Sequence, residues 1–246
     1  MSPTPPESRS SVTYVGHSTI AIVVDGVTVV TDPLLRRRAA HLIRYAPPAP
    51  RLTADVVVVS HAHYDHLDPF SIARLGRRTP VVVPIGAGGM LRRRRFHDVR
   101  EVAPGDRVEF GPVEVVATAA DHPGTRPPTT LRAEALGYLV RGSVTVYFAG
   151  DTGLFDGMEA IGDERIDVAL IPVDGWGPNV GAGHLDPAGA AEAVRLLRPR
   201  IAVPIHWGTY APYGRPSRDG RAAADAFAAL VPDVARVLDP GVQLAL

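Results

Sequence analysis

The stretch that decides the fold is Val56-Val57-Val58-Val59-Ser60-His61-Ala62-His63-Tyr64-Asp65-His66-Leu67-Asp68. Four consecutive valines read as a strand buried on both faces, since β-branched side chains pack well on a pleated surface. Three imidazoles and one carboxylate then fall within the six positions 61–66. The whole chain has only nine His in 246 residues, so three in six positions is a constellation with a purpose. A loop at the end of a buried strand can fold back and aim several side chains into one small volume. Neutral imidazole and carboxylate suit zinc, iron or manganese. So short a loop cannot bring all four donors to one ion, which favours two ions side by side.

A pair of ions needs further ligands, and three candidates share the same placement just past a strand. His122 follows Val113–Thr118 in Ala120-Asp121-His122-Pro123-Gly124. Asp151 follows Val144–Phe148 in Ala149-Gly150-Asp151-Thr152-Gly153, and His206 follows Ile201–Val203 in Pro204-Ile205-His206-Trp207-Gly208. One of these alone would read as a capping or core residue. Three, beside the His-rich loop, read as strand ends converging on one cleft.

The wider pattern supplies the frame. Val12–Val15, Ile20–Val24 and Val27–Thr31 are consecutive strands with Asp25-Gly26 as a hairpin turn. Val56–Val59 and Val81–Val83 follow, then a second β-rich block of Val113–Thr118, Leu136–Val140 and Val144–Phe148. Val168–Ile171 and Ile201–Val203 are the last strands read. Asp68-Pro69 caps a helix over Phe70–Leu75, and Asp186-Pro187 caps Ala188–Leu197. Ala222–Leu230 is a third helix. Strands outnumber the interspersed helices, which points to two sheets with helices outside.

Composition removes other chemistries. Twenty-six basic residues balance 26 acidic ones, every basic residue is Arg, and Cys is absent. No Lys means no Schiff base and no phosphate-loop lysine. No Cys means no disulfide, thiol nucleophile or thiolate metal site. The zero net charge argues against a dedicated nucleic-acid binder. Residues 1–11 read as a disordered Pro- and Ser-rich lead-in without a secretory signal. No apolar run approaches the roughly 20 residues of a membrane span. Residues 12–246 are expected to form a single cytoplasmic domain with a small-molecule substrate, no stable membrane association and an open oligomeric state.

The set His61-x-His63-x-Asp65-His66, His122, Asp151 and His206 resembles the metallo-β-lactamase superfamily. Gly16-His17-Ser18-Thr19 and Thr31-Asp32-Pro33 add to the likeness. Leu67-Asp68, Gly183-His184-Leu185-Asp186-Pro187 and His206-Trp207-Gly208-Thr209 narrow it to the branch of the ascorbate-phosphate lactonase and the N-acyl phosphatidylethanolamine phospholipase D. The resemblance implies an α/β fold: an αββα sandwich of two mixed β-sheets with helices on the outer faces. It also implies that His61, His63 and His122 hold one ion, that Asp65, His66 and His206 hold the other, and that Asp151 bridges them. Zinc is favoured by ligand type, and manganese and iron bind similar sets. Two dications at close range repel, so a bridging carboxylate and hydroxide would hold them, and water activated between them is a nucleophile at neutral pH. The expected reaction is hydrolysis of an ester, lactone or phosphodiester, with Asp65, Asp151 and His184 nearest the chemistry. Two other readings are an iron-dependent redox enzyme and a non-catalytic ligand-binding scaffold. Diiron redox members generally place a Glu where this chain has His63, and degenerate members lose ligands that are all present here.

Neighbouring residues carry secondary expectations. His184 reads equally as a substrate contact or leaving-group acid and as a loop histidine behind the ligands. His17 and Asp32 are expected to orient the ligand loops. Tyr64, Arg126, Trp176 and Trp207 are expected to line the substrate cleft, although Trp176 reads equally as core. Arg36–Arg38 are placed on a long solvated loop near the cleft mouth, and Arg92–Arg95 on a solvated helix. His41 and His97 are surface residues. Gly86-Ala87-Gly88-Gly89 lacks a nucleotide fingerprint and reads as a strand-to-helix turn.

Overall fold

The valine runs lie where both of their faces can be covered. In the computed structural model, which describes residues 10–126, 128–175, 181–214 and 220–246, β1 (Ser11–Gly16), β2 (Thr19–Val24) and β3 (Val27–Thr31) form an antiparallel meander. Asp25 and Gly26 turn between the last two with φ of 49° and 82°, the left-handed pair that a two-residue hairpin loop demands. β6 (Val56–Val58), β7 (Val81–Pro84) and β8 (Val99–Val102) extend this sheet in parallel, and β16 (Gln243–Ala245) closes its other edge. The second sheet runs antiparallel through β9 (Arg107–Phe110), β10 (Val113–Ala119), β11 (Leu136–Arg141) and β12 (Thr145–Phe148). It then continues in parallel through β13 (Val168–Pro172) and β14 (Ile201–Ile205). Both sheets are therefore mixed.

Alternation along β6 shows why the run is wholly apolar. Val56 and Val58 enter the core between the sheets with Val29 of β3 and Tyr138 of β11. Val57 and Val59 point the other way, onto a layer built from Ile72 of α1 (Pro69–Leu75), Leu91 of α2 (Gly88–Arg92) and Phe96. Across the molecule, α4 (Pro187–Leu197) buries Ala190, Ala193, Val194 and Leu197 beside β13. α5 (Arg221–Leu230) packs against α4, and the short α3 (Met158–Gly162) lies on α4's other flank. The expected layering of helices outside two sheets is what the chain adopts. Among the described residues no helix is long and apolar enough to cross a membrane.

Three local expectations need correction. The lead-in does not reach Ser11: Ser10 and Ser11 are buried, β1 starts at Ser11, and Leu246 N–H donates to the Ser10 carbonyl at 3.0 Å. The Arg-rich segment after Pro33 is not a plain loop. Arg38–Ala39 (β4) and Leu42–Arg44 (β5) pair with each other, and β5 pairs with Tyr210–Pro212 (β15), forming a third small sheet. Arg92 ends α2, so Arg93–Arg95 continue into a turn, with Arg95 at φ 62°. All four arginines are exposed, as expected.

Both expected helix caps form. The Asp186 side chain accepts from Gly189 N at 2.8 Å. Asp68 does more: it accepts from Ser71 N at 3.1 Å and Ser71 Oγ at 2.6 Å, and takes a two-pronged contact from Arg36 at 2.8 and 2.9 Å. One buried carboxylate therefore joins the end of the ligand loop, the start of α1 and the segment after Pro33. Asp68→Ala should lower the unfolding free energy by about 1–2 kcal/mol through the lost cap alone. Urea denaturation followed by circular dichroism checks this, and an unchanged midpoint would remove Asp68 from the framework.

Candidate metal centre

Strand ends of both sheets deliver the site. The ligand loop leaves β6 under tension from two directions: the Tyr138 hydroxyl donates to the Val59 carbonyl at 2.8 Å, and Leu136 N donates to the Ser60 carbonyl at 2.9 Å. Asp32, at the end of β3, accepts from Ser60 N at 2.7 Å, Ser60 Oγ at 2.5 Å and His66 Nδ1 at 2.6 Å. Asp32, His17 and His206 all hold positive φ, at 34°, 58° and 64°. Such conformations are uncommon for non-glycine residues and collect where surrounding contacts over-determine the backbone. His17 N, for instance, donates to Tyr14 Oη at 3.1 Å and Thr209 Oγ1 at 3.0 Å, while His206 N donates to the His17 carbonyl at 2.9 Å. Gly150 is obligatory for a plainer reason. A Cβ there would stand 2.6 Å from Ser60 Cβ and 3.0 Å from the Leu136 carbonyl, so the turn into Asp151 passes this close only without a side chain.

Hydrogen bonds to one nitrogen of each ring decide which nitrogen faces the centre. His122 Nδ1 donates to the Gly183 carbonyl at 2.7 Å and His206 Nδ1 to the Asp174 carbonyl at 2.8 Å. The Ser60 hydroxyl gives its single proton to Asp32, so it accepts from His61 Nδ1 at 2.9 Å. His61, His66, His122 and His206 thus turn Nε2 inward. His63 instead turns Nδ1 inward, 2.9 Å from His61 Nε2 and 3.1 Å from His122 Nε2. These three nitrogens form one compact donor group, and Asp65, His66 and His206, with His17, form a second. Asp151 Oδ2 faces both. It lies 3.1 Å from His66 Nε2, 3.3 Å from His206 Nε2 and 3.9 Å from His61 Nε2.

The donor set fits divalent ions. Asp151 Oδ1 is buried and makes no hydrogen bond within the protein, a costly state for a carboxylate oxygen unless something else binds it; His66 Nε2 has only the Asp151 and Asp65 carboxylates beside it, at 3.1 and 3.5 Å. Burial pushes His61 and His63 below the ordinary imidazole value, and His122 down to about 4. The first group is therefore neutral, as metal ligation requires. In the second group burial also opposes charge, but the carboxylates of Asp151, Asp65 and Asp32 hold His66 well above its usual value. His206 is likewise raised by Asp151 against its own burial. Burial alone would raise Asp65 and Asp151, yet the surrounding histidines hold both well below the usual carboxylate range. In the second group the carboxylates and imidazoles therefore favour each other's charged forms, an attraction that a bound cation would replace.

The structure brings together all seven expected ligands. Asp32 stands behind them, whereas His17 joins Asp65, His66 and His206 in the second group, its Nε2 3.2 Å from Asp65 Oδ2 and its own value lowered by burial to about 4. His184 reaches the centre, with Nε2 3.4 Å from Asp151 Oδ2 and Nδ1 lacking a hydrogen bond. His41 and His97 are exposed surface residues. Trp176 lies outside the described residues.

Two expected substrate contacts are corrected. Arg126 is buried, and its Nη1 donates to the carbonyls of Ala62, His63 (3.2 Å) and Leu67 (3.0 Å) while its guanidinium covers the Tyr64 ring at 3.8 Å. It clamps the ligand loop and holds Tyr64 beneath it, leaving that cation committed to the fold. Trp207 is core: it stacks on Tyr14 with ring centres 5.4 Å apart, and Nε1 donates to the Pro204 carbonyl at 2.8 Å. Spacing from a ligand suggested both as cleft residues, whereas fold-back of the chain turned both side chains inward.

A family model described as beta-lactamase superfamily domain matches residues 27–207, well over half of the chain. The chain belongs to this superfamily. N-acyl-phosphatidylethanolamine-hydrolyzing phospholipase D 1 of Caenorhabditis elegans is 32% identical over 232 residues, covering 83% of this chain; the chain spans only 65% of the worm protein. A metal-dependent hydrolase of Desulforamulus reducens is 35% identical over 207 residues, 80% of this chain and 84% of the relative. Among solved structures, Igni18, a metallo hydrolase of Ignicoccus hospitalis, aligns with a TM-score of 0.73 at 25% identity, over 96% of this chain and 97% of its own.

Asp32 orients ligands without joining either donor group through its own inward face, so its removal should loosen metal binding rather than abolish folding. Asp32→Asn should weaken affinity about 10–100-fold in chelator-competition titrations. Affinity equal to that of the unaltered chain would show that the tautomers and ring angles are fixed elsewhere.

Proposed function

We propose that the chain is a dinuclear metal-dependent hydrolase that cleaves an ester, lactone or phosphodiester of a small molecule. The observation that carries this reading is Asp151 Oδ2, set between two separate donor groups and within 3.9 Å of inward nitrogens from each. His61 and His122 through Nε2, with His63 through Nδ1, would hold one divalent ion. Asp65, His66 and His206 would hold the other, and Asp151 would serve both. Zinc suits this nitrogen-rich set, and manganese or iron would also be accepted. When bound, such a pair supplies Lewis acidity and a hydroxide at neutral pH.

The two hydroxyls adjacent in sequence to His61 and Asp151 are committed to other partners. Ser60 Oγ is locked between Asp32 and His61, and Thr152 Oγ1 donates to the Gly153 carbonyl at 2.8 Å. With Cys absent, attack by water is the reading that remains. His184 is the side chain best placed to meet a substrate: it borders Asp151, is partly exposed, and keeps a nitrogen uncommitted. Its partner in shape is the Gly183 carbonyl, which orients His122 from the same turn. Of the three bond types, the phosphodiester has added support from the worm relative, named as a phospholipase D.

Elemental analysis of the purified protein should find about two transition-metal ions per chain. On a panel of chromogenic phosphodiesters, carboxyl esters and lactones, Asp151→Ala should remain folded yet lose at least about 100-fold in rate. Undiminished turnover after exhaustive chelation would end the hydrolase reading. Iron as the resident metal with oxygen-dependent turnover would replace it with a redox one.

A further inference from the structure

Beside the small sheet of β4, β5 and β15 lie two adjoining cavities of about 470 and 490 Å³ that share Leu35, Ala49 and Arg74 as walls. Arg51 lines the first and Arg37 and Arg44 line the second, while no acidic residue among the described residues lines either. In a chain whose charges balance overall, this is a concentrated excess of one sign. None of the four arginines forms an ion pair with a described carboxylate; Asp68, near this segment, is taken by Arg36. Two of the guanidiniums are held in place by carbonyls instead. Arg74 Nη1 donates to the Leu35 carbonyl at 2.8 Å, and Arg44 donates through Nε to Pro47 and through Nη2 to Val15, both at 2.7 Å.

Arg44 is the decisive member. It is only 6% exposed, its Nε and Nη2 are committed to carbonyls, and it pairs with no carboxylate among the described residues. A buried guanidinium balanced only by neutral groups keeps an uncompensated charge, which an anion in the cavity it lines would offset. Four guanidiniums around one groove offer more N–H donors than a carboxylate has oxygens to accept, whereas a phosphoryl group presents three or more acceptor oxygens. Each cavity alone is large enough for a phosphoryl group attached to a small organic body.

We propose that this groove is a binding site for a phosphoryl oxyanion, distinct from the metal centre and adjoining it through Tyr210. The Tyr210 ring carries Arg44 Cζ 5.5 Å from its centroid and has the His17 ring 6.0 Å away. Arg44 also holds the Val15 carbonyl, two residues before His17. An occupant of the groove therefore sits against the wall of the second donor group. The inference stands independently of the hydrolytic reading, because it rests on the arginines alone.

The test is calorimetric titration of the metal-loaded chain with inorganic phosphate, repeated after exhaustive chelation to remove phosphate bound at the metal centre. Saturable binding should persist after chelation and weaken at least about tenfold when Arg37→Ser and Arg74→Ser are combined. Arg37→Ser with Arg51→Ser, two exposed positions, provides a second variant should the first fail to fold. Phosphate binding that vanishes on chelation of a chain that stays folded, or that is unchanged in the folded arginine variants, overturns the proposal. Co-sedimentation with phosphatidylcholine vesicles, with and without phosphatidylglycerol, separates the sources. Arginine-dependent pelleting with the anionic vesicles alone assigns the phosphoryl group to a lipid headgroup. Phosphate binding without pelleting assigns it to a soluble phosphorylated molecule.

Discussion

The Asp32 carboxylate is the contact on which the rest of the centre depends. It is fully buried at the end of β3 and receives Ser60 N, Ser60 Oγ and His66 Nδ1. By taking the Ser60 proton it obliges that hydroxyl to accept from His61, and by taking the His66 proton it turns the opposite nitrogen inward. One carboxylate thereby sets the tautomers of a histidine in each donor group. Two of the remaining rings are fixed by backbone carbonyls: His122 by that of Gly183 and His206 by that of Asp174. Outer hydrogen bonds of this kind fix ring orientation and raise ligand basicity, so the centre is pre-formed before any cation arrives.

Arg126 extends the same logic to the backbone. Its Nη1 alone meets three carbonyls of the ligand loop, and its face lies on Tyr64. A planar, always-charged guanidinium can do both; a lysine ammonium has no flat face to stack. Since Arg126 and His122 belong to the same connection from β10 to β11, the clamp also fixes how two ligand-bearing loops sit relative to each other. In a chain without a single Lys, arginine performs structural work on carbonyls here, pairs with Asp68 through Arg36, and stands without a carboxylate partner among the described residues at Arg37, Arg44, Arg51 and Arg74.

Much of this was legible in the sequence because two periodicities and one spacing carry it. Val56–Val59 is apolar at every position, and the strand it forms is covered on both faces; Asp25-Gly26 is a two-residue hairpin loop; Asp68 and Asp186 precede prolines and cap their helices. The ligands were legible because each follows a strand, and parallel neighbours end on one edge. What escaped was set by contacts distant in sequence. Nothing around Arg38–Ala39 marks a strand, because it exists only through pairing with Leu42–Arg44, which in turn pairs with Tyr210–Pro212, far along the chain. Ser11 looked like part of a polar lead-in, yet it pairs with Ala245 at the other end of the protein. Arg126 and Trp207 were misplaced for a related reason: proximity in sequence to a ligand gives the position of a residue but not the direction of its side chain.

The electrostatics of the two donor groups also differ in a way their compositions explain. The first contains only imidazoles, and burial keeps them neutral with lone pairs ready. The second includes Asp65 and faces Asp151 and Asp32, and these carboxylates raise His66 and His206 above the ordinary imidazole value against the effect of burial. If the two groups hold cations as proposed, the first would offer lone pairs that are already free, whereas the second would have to give up protons that its carboxylates favour. Asp151 Oδ2, which faces inward nitrogens of both groups, would then couple the two positions.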